Sequence, residues 1–335
     1  MLRAAYRKDD DVYLKDLALP PLGPGHIRLR VEACGVCGTD LQKQPANAGK
    51  EIQMTGHEMA GRILELGPGV TGLTVGQQVV LDSATPCGHC DNCKNARQEL
   101  CTDIQSFFFL GLFGFADEII APAICAIPSD DLDPAVASLQ EPLGVAIDMV
   151  RLGDISIDSN VLVMGGGPIG LMAVALAQRA GARRVFLSQR KRRTARCALA
   201  REMAVDDVID PTDIPLHDYD FGCDIDRILV TSPPETLPDA FNVAAKGGII
   251  SFIGIEHGDG AFCTFDANAF HFKKLQLRAS FASPALFGPL AVTYLREGII
   301  DGEAMVSHRF PLESMAEAVE TARGPDAIKV VITPA

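Results

Sequence analysis

Along the first half of the chain, apolar and polar residues alternate over short stretches. In the second half, apolar residues gather into continuous runs separated by helical repeats. HIRLRVEAC at 26–34 alternates residue by residue, EMAGRILELG follows His57, and QQVVLDSA precedes a cysteine-rich stretch. A period of two is what a half-buried strand requires, because successive side chains point to opposite faces. PPLGPG and GPGVTG carry the glycine and proline that turns between such strands need. Residues 1–148 are therefore expected to form a β-rich domain.

After Asp148 the pattern changes. VLVMG reads as a continuous apolar strand, PIGLMAVALAQRAGA as a helix ending at Gly181, RRVFLS as a strand, RRTARCALAREMA as a helix and DDVID as a third strand. Strands alternating with helices predict a parallel sheet covered on both faces, extended by DRILVTS, GGIISFIG and LQLRASF. In the tail, PLESMAEAVETA places Leu312, Met315, Ala316 and Val319 on one helical face, and KVVIT reads as a closing strand. The fold class is α/β, with room in 335 residues for two domains.

Composition narrows the function. A hydrophobic content of 47% can fill a substantial core, and a net charge of −13 disfavours nucleic acid and anionic membranes as partners. The N-terminus MLRAAYRKDDD shows no apolar signal segment, and no apolar stretch is long enough to span a bilayer. Ten cysteines without a signal segment fit a reducing cytoplasm, with Cys125, Cys197, Cys223 and Cys263 as inert thiols.

Two motifs carry chemistry. VLVMGGGPIGLMAV holds G-x-G-x-x-G as Gly165, Gly167-Pro168-Ile169 and Gly170, after a strand and opening a helix. Its glycines allow a tight turn and close approach to a dinucleotide pyrophosphate, which the helix N-terminus attracts. Cys87, Cys90, Cys93 and Cys101 fall as C-x2-C-x2-C-x7-C in PCGHCDNCKNARQELC, a spacing that can close a tetrahedral zinc site.

The cysteine spacing, followed in order by the other motifs, resembles the zinc-dependent medium-chain dehydrogenase/reductase family, and its polyol, threonine and sugar dehydrogenase branch in particular. The resemblance covers essentially the whole chain. It implies a GroES-like catalytic domain over 1–148 with a structural-zinc lobe near 85–102. A Rossmann domain over 149–289 follows, and 290–335 returns to complete the first domain.

It also implies a second, catalytic zinc, giving two per chain. Cys37 in GVCGTD, His57 and Glu58 in TGHEMAG, and Glu141 in LQEPLGVA match the family's ligand positions. Whether Glu58 or Glu141 is the direct carboxylate ligand stays open. Such a set leaves a coordination position free for substrate oxygen. Asp40 matches the group that orients the zinc-bound histidine, and Thr39 the hydroxyl that passes the alcohol proton outward. Many relatives place a histidine three residues after Thr39. This chain has Gln42, which does not titrate near neutral pH.

The second strand of the nucleotide motif ends in Ser188-Gln189-Arg190-Lys191-Arg192-Arg193. NAD sites place an acid where Gln189 stands, whereas a 2′-phosphate favours Arg forks and hydroxyls, so Ser188, Gln189, Arg190 and Arg193 predict NADP(H). The expected activity is hydride transfer between NADP(H) and a secondary alcohol or ketone of a polyol, sugar, cyclitol or amino alcohol, in a homodimer or homotetramer. The alternatives are a biosynthetic NADPH-dependent aldehyde or ketone reductase and a non-catalytic zinc- and nucleotide-binding regulator. FFFLGLFGF at 107–115 carries five phenylalanines, which are pocket or core residues on equal terms.

Overall fold

The computed structural model describes residues 1–42, 47–106 and 113–334. The chain divides into two compact units, 1–144 with 282–335, and 145–281. The expected boundary at Asp148 falls inside a helix, Gln140–Leu152. Leu143, Ala146, Ile147 and Val150 recur there at helical spacing and are buried.

The first unit is built on a seven-stranded sheet. Its path runs Ala126–Pro128, Gln78–Leu81, Glu58–Leu66, His26–Gly35, Lys329–Ile332 and Val306–Phe310, with Glu118–Pro122 also on His26–Gly35. Ile27, Leu29, Val31 and Ile63 alternate into one core with Met59, Phe115 and Met315. A smaller sheet joins Asp11–Asp16, Arg3–Lys8 and Glu51–Gln53.

The C-terminal strand closes this unit by pairing antiparallel with His26–Gly35, Val331 opposite Gly35. On its other side Gly35 faces Glu58. A Cβ at Gly35 would stand 2.1 Å from Glu58 Oε2, so a glycine is what lets that carboxylate lie across the strand. The expected helical face of the tail is corrected at one position. Met315, Ala318, Val319 and Ala322 are buried at i, i+3, i+4, i+7 spacing, and Ala316 is exposed.

The second unit holds a six-stranded, all-parallel sheet. Its order is Asp207–Ile209, Arg184–Ser188, Asn160–Met164, Ile225–Val230, Ala244–Phe252 and Gln276–Ala279. Helices Pro168–Arg179 and Thr194–Glu202 connect the first three strands in sequence. Apolar runs expected of a doubly covered sheet supply the core: Leu162, Met164, Phe186, Ile228, Val230 and Ile250. Among the described residues, no helix is long and apolar enough to cross a membrane.

Candidate functional site

Cys37 follows the strand His26–Gly35 and caps the short helix Gly38–Leu41. Its backbone N–H donates to Asp40 Oδ2 at 3.0 Å, and the Thr55 hydroxyl donates to Asp40 Oδ1 at 2.5 Å. His57 and Glu58, at the start of the neighbouring strand, are both buried. Ligand atoms of Cys37, His57 and Glu58 all lie within 4.8 Å of one another.

Glu141, in the first turn of Gln140–Leu152, stands outside that cluster but inside its field. Ser83 Oγ donates to its Oε1 at 3.3 Å. Burial raises the Glu141 carboxyl above its ordinary value; His57 pulls it down and Glu58 pushes it further up.

The spacing of motifs did not point to Lys329. Its ammonium donates to Glu58 Oε1 at 2.6 Å, Glu58 Oε2 at 2.5 Å and the Val36 carbonyl at 3.2 Å. Burial works against a charged lysine there, but Glu58 and then Cys37 hold it above its ordinary value. The available signal was a lysine leading into the apolar run VVI, a position where an unpaired charge does not survive burial.

His57 follows the same logic. Burial disfavours the imidazolium, yet the Cys37 sulfur, with Glu141 and Asp40 behind it, holds the ring well above its usual value. The site is thus rich in negative charge and draws a cation. Sulfur, nitrogen and carboxylate donors within ligand spacing fit zinc. Asp40 reaches His57 through charge, while its oxygens take Cys37 N–H and Thr55 Oγ1.

Thr39 and Gln42 line a cavity of about 210 Å³ with Arg7, Lys50 and Thr55. Of the phenylalanine run, Phe107 to Phe109 lie outside the described residues. Phe115 is fully buried core, packed on Gly56.

The cysteine lobe brings all four thiols together, with ligand atoms within 4.8 Å of one another. Cys87 to Cys93 and Cys90 to Cys101 are each 3.9 Å sulfur to sulfur. Thiolates on one tetrahedral zinc stand about 3.8 Å apart, given Zn–S bonds of about 2.3 Å. Backbone N–H groups of Cys87 and Cys90 point at Cys101 Sγ and Cys87 Sγ, both at 3.3 Å. Backbone donors at Thr102 and Cys93 bring the Cys90 thiol down to about 5. These sulfurs also fit zinc.

In the second unit, Gly165 adopts φ +99°, a left-handed conformation that favours glycine. A Cβ on Gly170 would stand 1.9 Å from the Gly165 carbonyl, so only glycine lets the helix pack onto the loop. Gly167 caps that helix, with Pro168 at its first position and Ile169 half-buried after it. Gln189 stands one residue beyond the second strand, and its Oε1 accepts the Gly166 N–H at 2.7 Å.

Ser188 is buried, Arg190 exposed and Arg193 half-buried. Burial and then the charges of Arg192 and Arg190 lower the Arg193 guanidinium. Arg196, which the motif reading passed over, lies against this loop, its Nη1 4.0 Å from where a Gly167 Cβ would be. Burial and Arg193 bring it down to about 10. Its signal was weak, since one more arginine in RRTARCALARE looks like a solvated helix face. The positive charges of neighbouring arginines thus bear on Arg193 and Arg196, a field that favours an anion.

Comparison with known proteins finds relatives over nearly the whole chain. Residues 23–131 match the alcohol dehydrogenase GroES-like domain, and 168–287 the zinc-binding dehydrogenase domain. The chain is 31% identical to the L-idonate 5-dehydrogenase of Vitis vinifera over 93% of its length and 89% of the relative's. Other relatives include L-threonine 3-dehydrogenases and a sorbitol dehydrogenase. Among solved structures, a zinc-binding dehydrogenase of Sinorhizobium meliloti 1021 bound to NADP superposes with a TM-score of 0.86 at 26% identity, covering 100% and 99% of the two chains. An alcohol dehydrogenase of E. coli CFT073 in complex with NADH gives a TM-score of 0.88 at 24% identity, covering 99% of each chain.

Proposed function

The chain belongs to the zinc-dependent medium-chain dehydrogenase/reductase family and is an oxidoreductase acting on CH–OH groups; we propose that it moves a hydride between NADP(H) and a secondary alcohol or ketone of a polyol, sugar, cyclitol or amino alcohol. The observation that carries this reading is the Cys37–His57–Glu58 set, with His57 and Glu58 buried and Cys37 half-buried, whose ligand atoms lie within 4.8 Å of one another; three such donors would leave a coordination position for substrate.

Cys37 and His57 would hold the zinc, with Glu58 or Glu141 as its carboxylate. When bound, the metal supplies Lewis-acid polarisation of the substrate oxygen. The rest falls to the chain. Asp40 fixes the Cys37 backbone and biases His57 by its charge. Thr39 receives the alcohol proton. Gln42 does not carry that proton further, so it leaves through water or a cofactor hydroxyl. Lys329 balances Glu58 and keeps the cluster from excess negative charge.

Residues 1–144 with 282–335 form the catalytic unit in this proposal, and 145–281 the dinucleotide unit. Gly165, Gly167, Pro168, Ile169 and Gly170 take the pyrophosphate. Ser188, Gln189, Arg190 and Arg193 take the 2′-phosphate of NADP, with Arg196 beside them. Absence of an acid at Gln189 supports NADP, as does the NADP bound in the Sinorhizobium structure. Cys87, Cys90, Cys93 and Cys101 hold a structural zinc. Ten cysteines, five of them zinc ligands in this reading, support a reducing, cytoplasmic setting. Family habit supports a homodimer or homotetramer.

The test is NADP⁺- and NAD⁺-linked oxidation of a polyol, sugar, sugar-acid, cyclitol and amino-alcohol panel by zinc-loaded protein. Oxidation with NADP⁺ is expected. Silence across the panel, with NADPH consumed by aldehydes or ketones, makes the protein a reductase. Silence in both directions with zinc in place overturns the reading.

A further inference from the structure

Beside the four-thiol lobe, a second donor set shares one of its sulfurs. Ligand atoms of Cys87, His89 and Asp103 also lie within 4.8 Å of one another. His89 Nδ1 meets the Cys87 carbonyl oxygen at 3.0 Å, and a carbonyl only accepts, so that nitrogen carries a proton. Nε2, on the far side of the ring, faces Asp103 Oδ2 at 3.0 Å.

Nε2, the Asp103 carboxylate and the Cys87 sulfur thus converge within metal-ligand reach of one another, and an N, O, S donor set suits zinc. A metal-binding histidine commonly donates its other ring N–H to a backbone carbonyl, which is the arrangement His89 shows.

Access separates the two sets. The His89 and Asp103 side chains are 68% and 57% exposed, whereas Cys93 and Cys101 are buried. We infer that Cys87, His89 and Asp103 form a surface zinc-capture site that passes the ion, through the shared Cys87, into the four-thiol site. Bonds from the metal to His89 Nε2 and the Asp103 carboxylate break as bonds to the sulfurs of Cys90, Cys93 and Cys101 form. The thiol protons leave to water and no electrons move. The inference rests on the reading of the four cysteines as a zinc site.

The experiment is metal exchange on the zinc-loaded full chain. Cd²⁺ is added and its uptake into the lobe is followed by cadmium–thiolate absorbance and by metal content. His89→Ala and Asp103→Asn, both surface changes, are each expected to slow exchange about tenfold or more, since even outer-shell partners command about 10–100-fold in metal affinity. The final cadmium content of the lobe should match the unsubstituted protein. Equal exchange rates in all three proteins overturn the capture site and leave the four-thiol reading standing. Failure of the unsubstituted protein to develop a four-thiolate signal overturns both.

Discussion

Both carboxylate oxygens of Glu58 accept hydrogen bonds from the Lys329 ammonium, at 2.6 and 2.5 Å, and each side chain is only 2% exposed. The two residues meet because Gly35 pairs with Glu58 on one side and with the C-terminal strand on the other. A buried ion pair is not by itself a large source of stability, but breaking one strands a charge away from water. Lys329→Met should therefore cost about 3–5 kcal/mol of folding stability. Glu58→Gln combined with Lys329→Met should recover much of that loss, since no lone charge is left. Urea unfolding of both variants checks this; a single variant as stable as the parent would mean that the pair is not buried in solution.

Asp82 gives the fold a pH dependence of unusual sign. Burial lifts its carboxyl from 3.8 to about 7, against the hydrogen bond from Gln140 Nε2 and helped by the charge of Glu141. Between those two values the folded protein keeps a proton that the unfolded chain has released. Stability should then fall as pH rises from about 4 to about 7 and level off above, by at most roughly 4 kcal/mol from this group. Asp82→Asn keeps an oxygen for Gln140 and removes the titration. Its stability relative to the parent should climb across that window and stay higher at pH 8, as read by thermal or urea unfolding at several pH values.

What the sequence shows most plainly is what lies close along the chain. Cys87, Cys90, Cys93 and Cys101 span one loop, so their spacing almost dictates their meeting. Gly165 and Gly170 are legible because a turn and a close approach at those positions exclude other residues. The strands and helices of 160–209 follow from continuous apolar runs alternating with helical ones. Lys329 is a different case. Its partner is 271 positions away, and only closure of the sheet by the last strand brings them together. The helix Gln140–Leu152 was hidden because a change of pattern at Asp148 looked like a boundary. Ala316 was misplaced because an alanine is too small to mark which side of a helix is buried; Ala318 and Ala322 complete the face instead.

Gln189 tests the cofactor preference. Its Oε1 holds the Gly166 N–H at the end of the second strand, where a carboxylate would repel a 2′-phosphate and accept bonds from ribose hydroxyls. Gln189→Asp combined with Arg190→Ala should shift the NADPH:NADH ratio of kcat/KM toward NADH by about tenfold or more, the worth of one charge-assisted bond. Steady-state kinetics with both cofactors measure it. An unchanged ratio would place the phosphate elsewhere.

Cys37 and the Gly165–Gln189 segment belong to different compact units, Cys37 to 1–144 with 282–335 and Gly165 to Gln189 to 145–281. A change confined to the first should leave the fold of the second intact. Cys37→Ser replaces a thiolate by a hydroxyl that is a poor zinc ligand, while the Asp40 contact to the residue 37 backbone survives. Turnover should be lost, zinc content should fall by one per chain, and NADPH affinity should change little. Cys93→Ser should also lose one zinc, but from the lobe: Cys93 is buried against Cys87 there, and its removal opens a site whose thiols hold a polar loop together. That variant should keep residual turnover and unfold at lower temperature. Metal analysis, NADPH fluorescence titration and thermal unfolding separate the two losses. Retained activity in Cys37→Ser would remove Cys37 from the catalytic metal, whatever the lobe does.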